Sequence, residues 1–126
     1  MRPLVLLAAL SLVGASACGG SHAPKSGGGV GTAAGAPTAQ TFTIHGNDRD
    51  QFVPQTLQAK VGTLTLSLQN GGVPHNLTFS SGGLQGISTV SGGAIKSTTL
   101  TFTTPGTFDF VCTIHPGMAG KIVVTG

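Results

Sequence analysis

From Thr41 onward, hydrophobic and polar residues alternate along the chain. Phe42 and Ile44 fall on one side, with Thr41, Thr43 and His45 opposite. Leu64, Leu66 and Leu68 alternate with Thr65 and Ser67, and Leu77 and Phe79 flank Thr78. Leu100 and Phe102 alternate with threonines, as Phe108 and Phe110 do with Thr107 and Asp109. A period of two belongs to a strand that buries one face. Asn70-Gly71-Gly72, Gly82-Gly83, Gly92-Gly93 and Pro105-Gly106 break the pattern where turns are needed, and Gly62 is read as a further break. No window carries the apolar spacing of a helix. Short strands separated by turns predict an all-β domain, a small β-sandwich with antiparallel strands.

The first residues follow another logic. Met1-Arg2-Pro3 carries one positive charge, Leu4 to Ala17 is apolar, and Ala15-Ser16-Ala17 supplies small residues. That is the layout of a secretory signal, and the apolar run is short of the roughly 20 residues a membrane span needs. Residues 1–17 are therefore expected to be a signal peptide. Small residues directly before Cys18 resemble a bacterial lipobox, although Ala15 stands where that motif prefers Leu. The resemblance implies that Cys18 carries lipid and anchors an exported protein to a membrane, in the periplasm or at the cell surface. Residues 18–37, rich in Gly, Ala and Ser, are expected to form a flexible tether. A tether of that length has a reach of roughly 25 Å. The folded domain is placed at 38–126.

The net charge is +3. Within the domain, Arg49, Lys60, Lys96 and Lys121 nearly balance Asp48, Asp50 and Asp109. Without a basic cluster, no nucleic-acid partner is expected. Of the two cysteines, Cys18 is assigned to lipid, which leaves Cys112 for other chemistry.

That chemistry lies in Cys112-Thr113-Ile114-His115-Pro116-Gly117-Met118, where a thiol, an imidazole and a thioether share one short segment. His75, in Pro74-His75-Asn76, offers a second imidazole. One thiolate, two imidazoles and a weak thioether make the donor set of a mononuclear blue-copper centre. Parity puts Cys112 on the face of Phe108 and Phe110, pointing into the sandwich at the end of its strand. The last strand then begins just past Met118, on Ile122 and Val124 or on Val123.

With two residues between Cys112 and His115 and two between His115 and Met118, the segment Phe110 to Val124, together with Asn70 to Asn76, resembles the cupredoxin family in its plastocyanin- and amicyanin-like branch. The resemblance covers residues 40 to 126 and implies a Greek-key β-sandwich that binds one copper ion, cycling between Cu(I) and Cu(II). His75, Cys112, His115 and Met118 become its ligands, with His115 at the solvent edge among Val73, Pro74, Pro116 and Gly117. Asn76 is implied as a hydrogen-bonding support for the ligand loops, and Pro116 as a neighbour of the site. His45 and His22 are expected to be solvated.

Other functions fit less well. Structural zinc sites seldom use Met. A Cys–His nucleophile would lack an orienting carboxylate in this segment. A binuclear copper centre needs a second Cys in the loop, and a multicopper enzyme needs more histidines and more domains. No enzymatic role is expected. The reading is a monomeric electron carrier that meets transient redox protein partners. The alternative is a periplasmic copper carrier or scavenger, which would hold its metal in an exposed, exchangeable site.

Overall fold

The computed structural model describes residues 29–81 and 83–126. The leader, Cys18, His22 and most of the tether lie outside the described residues. Ten strands follow one another: β1 (Val30–Thr32), β2 (Gln40–Gly46), β3 (Phe52–Val53), β4 (Thr56–Lys60), β5 (Gly62–Asn70), β6 (His75–Phe79), β7 (Ile87–Val90), β8 (Ile95–Phe102), β9 (Gly106–Val111) and β10 (Ala119–Thr125). They form a six-stranded sheet in the order β1-β4-β10-β9-β6-β7 and a four-stranded sheet in the order β3-β2-β5-β8. The architecture is all-β, a sandwich of two sheets.

The alternating residues close the space between the sheets. Ile44, Leu64, Leu66, Leu68, Leu100 and Phe102 come from one sheet and Leu57, Leu77, Phe110, Ile122 and Val124 from the other, and all are buried. The last strand therefore takes its Ile122 and Val124 phase. Phe52 on β3 meets Phe110 on β9 edge to face at 5.0 Å, and Phe79 meets the same ring at 6.0 Å. Aromatic pairs favour that offset geometry. The Phe110 ring also lies over Gly120, where an added Cβ would stand 2.5 Å from its edge.

Three expectations need correction. The sandwich is mixed, because β2 pairs with β5, β4 with β10 and β1 with β4 in parallel. Alternation fixes which face is buried and carries no information on strand direction. Val30–Thr32, within the span read as tether, pairs with Thr56–Gln58. Edge pairing uses backbone groups alone, so Gly- and Ala-rich sequence gives it no periodic signal. Gly62 opens β5 instead of breaking the chain, with φ of 133° and its Cα facing the carbonyl of Pro37.

Buried Gln40, at the start of β2, ties the two sheets together. Its Oε1 accepts from the Lys60 N–H at 2.7 Å and its Nε2 donates to the Lys60 carbonyl at 2.9 Å. A buried amide satisfied on both sides costs little and fixes one register.

Candidate metal centre

Cys112 follows the last residue of β9 and keeps that strand's phase, so it is buried above Phe110. Its N–H donates to the Met118 carbonyl at 2.9 Å, one rung beyond the Val111–Ala119 pair of the β9–β10 ladder. The Met118 N–H in turn donates to the His115 carbonyl at 3.2 Å. Gly117 makes the tight turn at φ 83°, a region that favours glycine. The loop is thus a closed turn that keeps Cys112 and Met118 buried and leaves Ile114, Pro116 and Gly117 exposed.

His75 comes from the other side as the first residue of β6, and it is fully buried. Its Nε2 lies 2.9 Å from the Asn47 carbonyl, which can only accept, so the proton sits on Nε2 and Nδ1 presents a lone pair. Gly46 makes room for the ring, since a Cβ there would stand 2.5 Å from His75 Cδ2. The next residue, Asn76, joins the two ligand-bearing segments. Its Nδ2 donates to Thr113 Oγ1 at 2.6 Å and its Oδ1 accepts from the Thr113 N–H at 2.8 Å.

These supports bring three donor atoms together. His75 Nδ1 and His115 Nδ1 are 3.0 Å apart, and Cys112 Sγ lies 4.0 and 3.7 Å from them. The centre of that triangle is about 2.1 Å from each corner. Metal–imidazole bonds are about 2.0–2.1 Å long and metal–thiolate bonds about 2.3 Å, as measured for zinc. One ion fits between them, and a soft sulfur beside two imidazoles suits copper. No carboxylate belongs to this cluster among the described residues.

Met118 is buried beside a small cleft of about 130 Å³ lined also by Asp50, Gln51, Phe52 and Gln55. His45 is exposed on β2 and stands apart from the cluster. Sequence reasoning did not single out the β2–β3 loop. Asn47 supplies the carbonyl to His75, and Asp50 places a carboxylate oxygen 3.5 Å from His115 Nε2. The polar run Asn47-Asp48-Arg49-Asp50 reads as a turn. Its place at the site depends on strand pairing that composition does not reveal.

Residues 38–125 match the family model described as copper binding proteins, plastocyanin/azurin family. Among curated relatives, amicyanin from Paracoccus denitrificans is 41% identical over 71 residues, 54% of this chain and 53% of the relative. Amicyanin-alpha from Methylorubrum extorquens is 35% identical over 78 residues, 59% of this chain and 64% of the relative. The match thus spans between half and two thirds of these relatives' length. A solved structure of a reduced amicyanin variant superposes with a TM-score of 0.56 at 30% identity, over 68% of this chain and 82% of that one. Auracyanin A from Chloroflexus aurantiacus shares the fold, with a TM-score of 0.59 at 20% identity over 69% of this chain and 99% of that one. The family model spans the strands that build the donor triangle. The chain therefore belongs to the copper-binding plastocyanin/azurin family, the cupredoxins, with His75, Cys112, His115 and Met118 arranged as a single type 1 copper site.

Proposed function

We propose that this domain carries single electrons, on its one copper ion, between extracytoplasmic redox partners. The observation that supports the reading is the triangle of Cys112 Sγ, His75 Nδ1 and His115 Nδ1, buried except at the His115 edge. In this reading the three atoms would hold the ion, with the Met118 thioether as a further, weaker donor. Bound copper supplies a one-electron couple. The protein supplies rigidity: β6 fixes His75, the end of β9 fixes Cys112, and the Asn76–Thr113 pair locks their segments together. Donors that cannot move keep the reorganisation on electron transfer small. The likeness to amicyanins, and to an auracyanin described as a blue copper protein, supports the same assignment.

The His115 ring is the path to the surface. Partners would dock there briefly, through a small interface around Pro74, Ile114 and Pro116. The leader and Cys18 add a lipid anchor outside the described residues, so that the domain works from a membrane at the end of its tether. No residue is assigned a catalytic role.

The visible spectrum of the oxidised, copper-loaded protein tests the reading. An intense thiolate-to-copper band toward the red supports it. A weak tetragonal spectrum would replace it with a copper carrier. Fractionation of cells expressing wild type and Cys18→Ser tests the anchor, and equal solubility of the two forms would remove it.

A further inference from the structure

We propose that Asp50 is a positioning residue for the copper centre, its carboxylate standing beside the outer nitrogen of His115 and stabilising the oxidised state. The inference rests on the copper reading above. An imidazole that gives its Nδ1 lone pair to a metal carries its proton on Nε2, and metal charge makes that N–H a stronger donor. For His75 the Asn47 carbonyl accepts it. For His115 the group facing Nε2 is Asp50 Oδ1, at 3.5 Å. One loop therefore serves the outer nitrogens of both rings.

The loop is built to hold that place. Asn47 Oδ1 accepts from the N–H groups of Arg49 and Gln51 at 3.0 Å each, and Asn47 Nδ2 donates to Gln51 Oε1 at 3.1 Å. Asp48 docks the loop on the β5–β6 turn, its Oδ1 accepting from the Gly72 N–H at 2.6 Å. Asp50 sits between these anchors at φ 56°. Few side chains accept that left-handed region, and Asp and Asn are among them. Conformation alone would be met equally by Asn. The carboxylate adds a full negative charge beside a ligand, within the roughly 8 Å over which charge is felt at physiological ionic strength. The oxidised site carries one more positive charge than the reduced one. The carboxylate therefore favours oxidation and lowers the reduction potential, and salt weakens the effect because both groups are partly exposed.

Asp50→Asn isolates the charge, since Asn keeps both shape and backbone preference. The copper-loaded variant should retain its charge-transfer band, while its reduction potential rises by a shift that shrinks as salt is added. Pulsed electron paramagnetic resonance should show a changed coupling to the remote nitrogen of one imidazole. Asp50→Glu should return part of the shift. Asp109→Asn removes the same charge from β9, opposite Lys121, and should move the potential less. An unchanged potential in Asp50→Asn, or equal shifts in Asp50→Asn and Asp109→Asn, would overturn the inference. Absence of the band from the wild type would overturn the copper reading and this inference with it.

Discussion

His75 and His115 offer the same atom to the same point from opposite kinds of structure. His75 belongs to a sheet: it opens β6, pairs with Val90 of β7, and is sealed from solvent with its far nitrogen on a backbone carbonyl. His115 belongs to a turn. Its side chain is 22% exposed, and its far nitrogen faces a carboxylate that is itself 48% exposed. A strand residue buried on all sides fixes position, whereas a loop residue at the rim gives access. The centre is held from one side and reached from the other.

The largest effect should come from Cys112, which both histidines face. Cys112→Ala should abolish the charge-transfer band, and colour retained in that variant would refute the assignment of the thiolate. Removing the rings one at a time tests the contrast directly. His115→Gly opens a hole to solvent, so added imidazole should restore the band. His75→Gly leaves an enclosed cavity that added imidazole should not fill, and it should cost the metal-free domain roughly 2–4 kcal/mol, as large-to-small changes in a packed interior do. Equal rescue of both variants would erase the distinction. Met118→Leu keeps the buried side filled with a similar volume. It should keep copper and colour while raising the potential, because a donor that favours Cu(II) is lost; an unchanged potential would mean that Met118 only packs. The smallest effect belongs to Asn76→Ala. Losing its two partly exposed hydrogen bonds to Thr113 should lower stability in denaturant titration by about 1–2 kcal/mol and barely move the band. No loss of stability would show that the two ligand segments hold their places without this tie.

Sequence made one of these histidines easier to place than the other. Cys112, His115 and Met118 are neighbours in the chain, so their meeting depends only on a tight turn, and Gly117 announces one. The inward direction of Cys112 followed from counting back to Phe110. His75 reaches them through the β6–β9 pairing of Thr78 with Val111 and Phe79 with Phe110. No local pattern encodes that pairing, and only family resemblance pointed to it. Buried faces were legible because alternation records which side meets the core. Strand direction was not, and β2 and β5 run parallel with the same alternation an antiparallel pair would show. The Asn47–Gln51 loop was illegible as part of the site. Its role is carried by a main-chain carbonyl, which every residue owns, and by an Asp whose nearest partner is 65 positions away.

The place of β10 has a consequence for how the molecule comes into being. Tenth of the ten described strands, it lies inside its sheet, between β4 and β9. Until it arrives, β4 and β9 each present an unpaired edge, and the interior stays open along the line that Ile122 and Val124 close. Its pairing with β4 joins residues 65 positions apart, the long-range kind of contact that slows folding and leaves exposed edges open to aggregation. The turn bearing Cys112, His115 and Met118 runs directly into this strand, so it takes its final shape only when the sheet is completed. Because synthesis runs from the N-terminus, the metal-binding turn would then be assembled only after nearly all of the domain has emerged.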